Sequence, residues 1–337
     1  MGSERRMRKR DLALAFGGAI GTAVAVKMLT RAKTVEWDDV ANSVAHSDKS
    51  HFVEVDGATV HYQEFGDIAN PKIILIHGYT ASVYVWKNVA PILAKNGFHV
   101  IAVDLLGFGY SDKPRWFEYS IEAQARMMSR FMNRLGIGRA TLVGSSYGGA
   151  VAATLALDYH ERVEKLVLVD AVCNDGPKSH PLMKLAAFPV VGEALTPFIL
   201  DSKTFARSRM HTTLAPVNHH LITEERVNST VRPLSAADAH HSVLEAARNW
   251  HADRIERDAG LIDRQTLIIW GEQDKVVPIR DGYSLHNSIL HSRFVVLPDC
   301  GHMPQEEKTE VFCKLVTEFC RDKKGRIEAV DEMQLKA

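Results

Sequence analysis

The stretch LVGSSYGG, residues 142–149, sets two adjacent serines between glycines. A serine hydroxyl is a weak nucleophile at neutral pH. It needs exposure on a tight turn and a base within hydrogen-bond reach. Only one of the two serines fits G-x-S-x-G: Gly144-Ser145-Ser146-Tyr147-Gly148 centres on Ser146, whereas centring on Ser145 would demand glycine at Val143 and Tyr147. Flanking glycines relieve the crowding of a strand-to-helix turn and leave Oγ free. Two partners follow in the chain order Ser, Asp, His that such a turn requires: Asp274 in LIIWGEQDKVVP and His302 in LPDCGHMPQEE. His302 is read as the base that takes the Ser146 proton, and Asp274 as the carboxylate that fixes its tautomer and stabilises the imidazolium. Asp170, which ends KLVLVD, is the competing acid, because a carboxylate after that strand also reaches the histidine. ILIHGYT (74–80) completes the set. The amide of Tyr79, with that of Tyr147, is expected to point at a carbonyl oxygen held over Ser146, each such donor stabilising the oxyanion by about 2.7–4 kcal/mol. His77 is expected to hydrogen-bond its loop rather than react.

These groups need a frame that brings them to one edge, and the hydrophobic pattern supplies it. HFVEVDGATVHYQEFG (51–66) reads as a hairpin about an Asp56-Gly57 turn. KIILIHG, HVIAVDLLG, ATLVGSS, VEKLVLVDA, TLIIWG and RFVVLPD are near-continuous apolar runs, as expected of strands covered on both faces. Helical patterns separate them. In one, Ser120 caps IEAQARMMSRFMNRL and Gly136 stops it. The alternation predicts an α/β fold with a mostly parallel central sheet and helices on both faces. It breaks at 172–262, a proline-punctuated helical interval that follows a strand's C-terminal end and is expected to form a lid over the ligand face.

The chain has 337 residues, 41 Lys plus Arg against 41 Asp plus Glu, and 46% hydrophobic residues. Its net charge of zero gives no field to hold a polyanion, so nucleic acid is not an expected partner. The four cysteines contain no C-x-x-C pair. The lid histidines His211, His219, His220, His240 and His241 lack the spacing of two ligands on one helix face, so neither a metal nor a cofactor is expected. The N-terminus is asymmetric: Arg5, Arg6, Arg8, Lys9 and Arg10 precede the uncharged run LALAFGGAIGTAVAV (12–26). Fifteen residues at 1.5 Å rise span about 23 Å, short of a ~30 Å hydrocarbon core unless residues 28–30 join and Lys27 snorkels. A single-pass membrane anchor is favoured over a signal peptide cleaved after AVA (23–25). The expected organisation is an anchor or signal segment at 1–35, a linker at 36–50, a catalytic core at 51–171 and 263–325, the lid at 172–262, and a polar tail at 326–337.

HGYT, DLLGFGYSD, GSSYGG, WGEQD and DCGH, in this order and on these strands, resemble the α/β-hydrolase superfamily over residues 51–320. The resemblance implies a serine hydrolase working through an acyl-enzyme. Ser146 at the elbow separates the chain from relatives that carry Asp or Cys there. The carboxylesterase and monoacylglycerol-lipase-like branch is the principal expectation, with a small-molecule ester or lipid as substrate. Hydrolases that cleave carbon–carbon bonds in ring-fission diketones are the alternative; they usually carry Trp after the catalytic histidine, where this chain has Met303. A lactonase is a further alternative. A non-catalytic ligand-binding protein on the same fold is the remaining class.

Overall fold

The computed structural model describes residues 35, 37–176, 188–236 and 238–322. The expected N-terminal anchor or signal segment, apart from Val35, and the expected polar tail lie outside the described residues. The hairpin forms as expected: β1 (Ser50–Val55) pairs antiparallel with β2 (Ala58–Phe65). Asp56 and Gly57 both take positive φ, 51° and 82°, the geometry that suits a two-residue hairpin turn. The strands that follow are β3 (Lys72–Ile76), β4 (His99–Val103), β5 (Ala140–Ser145), β6 (Val163–Val169), β7 (Thr266–Gly271) and β8 (Ser292–Leu297). They form one eight-stranded sheet in the order β1-β2-β4-β3-β5-β6-β7-β8. It is parallel from β4 to β8, with the hairpin antiparallel at one edge.

Side chains alternate between the two faces of a strand, so each central strand feeds two cores. Ile74, Ile76, Leu142, Leu166, Leu168 and Ile268 pack on one side, while Ile73, Leu75, Val143, Val167, Val169, Leu267 and Ile269 pack on the other. This double burial explains the unbroken apolar runs. Helix α1 (Val89–Lys95) covers the second side. Helices α2 (Ile121–Arg134) and α3 (Tyr147–Asp158) cover the first. Ser120 caps α2 by accepting from the Ala123 amide at 3.1 Å, and Gly136 ends it at φ 68°.

Between β6 and β7 the described chain is helical: α4 (Val191–Leu200), α5 (Lys203–Thr213), α6 (Glu224–Leu234), α7 (Ala239–Arg248) and α8 (Asp253–Asp258). α7 rests on the core through the Tyr79 hydroxyl, which donates to Val243 O at 2.7 Å, and through Ser242 Oγ, which donates to Gly107 O at 2.7 Å. α8 packs on α3, tied by Arg254 to Asp158. The chain closes with α9 (Ile279–Ser288), the one-turn α10 (Pro304–Glu307) and α11 (Thr309–Arg321), the last packing with α1. Among the described residues no helix is long and apolar enough to cross a membrane.

Candidate active site

β5 stops at Ser145, and Ser146 sits between strand and helix as the residue preceding α3. Its backbone is bent to φ 54°, ψ −118°, a conformation that costs a non-glycine residue on the order of 1–3 kcal/mol. The surroundings hold it there. Ser146 N donates to Val169 O at 2.9 Å, and Ser146 O accepts from Gly149 N at 2.9 Å and Val172 N at 3.1 Å. The flanking glycines answer to sterics: a Cβ on Gly144 would lie 2.3 Å from Gly148 O, and one on Gly148 would lie 2.4 Å from both Ile76 O and His77 O. Ser145 Oγ accepts from Gln305 Nε2 at 3.2 Å, a residue 160 positions away on α10. That contact lays the α10 turn, just after His302, against the Ser145-Ser146 segment.

His302 is buried at 5% exposure and the Asp274 carboxyl is fully buried. His302 Nδ1 meets Asp274 Oδ2 at 2.8 Å. Since a carboxylate only accepts, Nδ1 carries the proton and Nε2 keeps its lone pair. Asp274 Oδ1 accepts from Val276 N at 2.7 Å and Val277 N at 3.1 Å, which fixes the carboxylate in the turn after β7. His302 N donates to Thr213 O at the end of α5 at 2.7 Å, so the lid holds the histidine loop directly.

Asp170 directly follows β6 with φ 42° and is fully buried. Its Oδ1 accepts from Gly271 N at 2.9 Å, while Oδ2 has no protein donor. An oxygen of Asp170, an oxygen of Asp274 and a ring nitrogen of His302 lie within 4.8 Å of one another. The imidazole bonds Asp274, and Asp170 stands beside the pair. Burial, reinforced by the neighbouring Asp274, pushes the Asp170 carboxyl well above the usual carboxylate range. The three groups also have the donor types of a metal site, but the direct imidazole–carboxylate bond fits a hydrogen-bonded acid–base chain.

The His77-Gly78-Tyr79 segment lies over the nucleophile: a Cβ on Gly78 would stand 3.1 Å from Ser146 Cβ and 3.6 Å from Oγ. Among the described residues neither the Tyr79 nor the Tyr147 amide donates to a protein acceptor. His77 is a loop residue, as expected: Nδ1 donates to Gly78 O at 2.7 Å and Nε2 accepts from Leu105 N at 3.1 Å. Burial lowers its pKa, which keeps it neutral in this role. The tyrosine rings brace the floor, with Tyr147 fully buried against Trp250 at 5.2 Å.

One contributor was absent from the sequence reading. Glu307, on α10, accepts from Gly301 N and Met303 N with Oε1 at 3.0 and 3.1 Å, and from Ala215 N and Asn218 Nδ2 with Oε2 at 2.8 Å each. It locks both flanks of His302 to the lid. The acidic run QEE after the histidine was the only sequence signal. Of the lid histidines, His211 and His219 come together from two elements, Nδ1 to Nδ1 at 3.2 Å, and His240 meets Asp201 at 2.8 Å. In the apolar stretch 188–200, Gly192, Thr196 and Leu200 are buried, whereas Phe188, Val190 and Phe198 are exposed.

Known proteins are similar to this chain in sequence and fold. A 2-hydroxy-6-oxononadienedioate/2-hydroxy-6-oxononatrienedioate hydrolase of Burkholderia vietnamiensis is 31% identical over 306 residues, covering 84% of this chain and all of the relative. Among solved structures, a meta-cleavage product hydrolase from Pseudomonas fluorescens IP01 superposes with TM-score 0.68 at 27% identity, covering 80% of this chain and 97% of that one. A bacterial membrane phospholipase A superposes with TM-score 0.67 at 25% identity, covering 93% of this chain and 98% of that one. Residues 71–309, from β3 through α10 and including every group described above, match the family described as the alpha/beta hydrolase fold. With that match added to the sheet and the elbow, the chain belongs to the α/β-hydrolase fold family.

Proposed function

We propose that the chain is a serine hydrolase in which Ser146 attacks a substrate carbonyl. His302 takes the Oγ proton on Nε2 and returns it to the leaving group, Asp274 holds the imidazole, and the amides of Tyr79 and Tyr147 receive the oxyanion. Water then releases the acyl group from Ser146 by the same base. The observation that carries this reading is the 2.8 Å bond from His302 Nδ1 to Asp274, which frees Nε2 for the nucleophile. A fluorophosphonate probe should label the wild type and leave Ser146→Ala unlabelled. A folded wild type that is neither labelled nor active would leave the chain a binding protein.

For the substrate, the named relatives support carbon–carbon hydrolysis of a ring-fission oxo-dienoate, the alternative in the sequence reading, better than ester hydrolysis. A second reading, hydrolysis of a carboxylic ester of a lipid, is favoured by Met303 in the place after the histidine and by the phospholipase likeness, which extends over 93% of this chain. The basic flank and the apolar run 12–26 are assigned in this reading to an uncleaved membrane anchor. Both substrates use the same acyl transfer, so parallel assays decide: loss of the dienoate absorbance against turnover of p-nitrophenyl butyrate and a monoacylglycerol. Turnover of esters alone would remove the first reading; turnover of the oxo-dienoate alone would remove the second. Mass spectrometry of membrane-fraction protein should find an intact N-terminus, and a chain starting near Val26 would refute the anchor.

A further inference from the structure

We propose that Asp170 carries a proton on Oδ2 and donates it to the Asp274 carboxylate, acting as a positioning residue for the acid of the triad. The inference rests on the assignment of Asp274 as that acid. Two buried carboxyls within 4.8 Å of one histidine leave at most one cation for two anions. Like charges at that spacing cannot both ionise away from water, so one carboxyl keeps its proton. The donor count says which. Asp274 accepts from three N–H groups, the amides of Val276 and Val277 and His302 Nδ1, and is stabilised as the anion. Asp170 accepts from one, the Gly271 amide, and its Oδ2 is buried without a donor. An oxygen in that position, beside a carboxylate, is satisfied by donating.

The groups facing Asp170 agree. Besides Asp274 and His302, Glu307 and the Cys300 thiol act on it, adding negative charge or a neutral group. Burial and the Asp274 charge together push the Asp170 carboxyl well above the usual carboxylate range. Asp274 then has His302 on Oδ2, the amides of Val276 and Val277 on Oδ1, and the Asp170 hydroxyl as a fourth donor. The proton also keeps the charge of a second carboxylate at Asp170 away from the imidazole.

The test compares Asp170→Asn with Asp170→Leu. The Asn amide reproduces both contacts, its oxygen accepting from Gly271 N and its NH2 donating to Asp274; Leu reproduces neither. Asp170→Leu should lose about tenfold or more in kcat with little change in KM, because the orientation of the triad suffers rather than binding. Asp170→Asn should recover most of that loss. The acid limb of the kcat/KM profile should not move in Asp170→Asn, since one neutral group replaces another. If Asp170 is ionised, that limb should fall by about one pH unit or more as a negative charge leaves the imidazole, and the proposal is overturned. Infrared difference spectra at neutral pH, which need no activity and so stand apart from the functional reading, should show a protonated carboxylic acid carbonyl band in the wild type that Asp170→Asn lacks. Absence of the band overturns the proposal, as does an Asp170→Asn variant as inactive as Asp274→Asn.

Discussion

Glu307→Gln should cost more than its one-atom change suggests. The carboxylate is nine-tenths buried and accepts from four separate donors, two on each oxygen, and Gly301 N also approaches the second oxygen at 3.0 Å. A Gln amide offers one acceptor and one donor. If its NH2 faces the lid, it confronts Ala215 N and Asn218 Nδ2. If it faces the loop, it confronts Gly301 N and Met303 N. Asn218 cannot rotate its own amide to help, because Nδ2 also donates to Asp299 O at 2.9 Å. Facing the lid loses two hydrogen bonds to a charged acceptor, and facing the loop loses that of Met303 N while Gly301 N keeps the other oxygen, each bond contributing about 1.5–3 kcal/mol. The expected loss, set by the better orientation, is about 1.5–3 kcal/mol, a sizeable share of the roughly 5–15 kcal/mol typical of a folded protein. The same contacts flank His302, so kcat should fall by about ten- to a hundredfold in whatever fraction stays folded. Urea unfolding together with initial rates on a nitrophenyl ester or the oxo-dienoate reads both quantities. A loss below about 1 kcal/mol with wild-type kcat would refute the clamp, since a solvated or rotatable Glu307 would behave that way.

Ser146→Ala should lose about a million-fold in kcat, whereas Ser145→Ala, which gives up only the Gln305 contact, should lose about 1 kcal/mol of stability and keep most activity; equal losses in rate would place the nucleophile elsewhere. Gly148→Ala drives a Cβ to 2.4 Å from two backbone oxygens that cannot swing away, so it should cost more than about 4 kcal/mol, and a wild-type thermal midpoint would contradict the elbow geometry. The raised Asp170 pKa gives stability a sign: the folded state holds a proton that the unfolded chain releases near pH 3.9, so this contribution is fully present below about pH 4 and is lost as pH rises toward the folded value. Asp170→Asn should gain stability relative to wild type from pH 4 upward, and parallel urea midpoints from pH 4 to 8 would show that Asp170 is not protonated when folded.

The sheet was legible because each buried strand is a run of β-formers, yet five of the six runs read too long, and always at the C-terminal end, ATLVGSS by one residue and RFVVLPD by two. KIILIHG reaches 78 where β3 stops at Ile76, HVIAVDLLG reaches 107 where β4 stops at Val103, and VEKLVLVDA reaches 171 where β6 stops at Val169. His77, Leu105, Leu106 and Ala171 stay buried beyond the last ladder bond, so hydrophobicity continues while the backbone has already turned. Periodicity reports burial. It is blind to the positive φ of Ser146 and Asp170, where the chain leaves the sheet and chemistry starts. Glu307 was hidden for a different reason: its lid donors lie 92 and 89 residues away, at Ala215 and Asn218, a separation that no local window joins. The two acids show the subtlest limit. Along the chain, Asp170 and Asp274 are rival candidates for one role, because each follows a strand. The strand order makes β6 and β7 neighbours, and their parallel ends set both carboxyls at the same edge. A choice between them becomes a division of labour, with Asp274 holding the negative charge and Asp170 the proton, once topology has made them adjacent and burial has forbidden both to ionise.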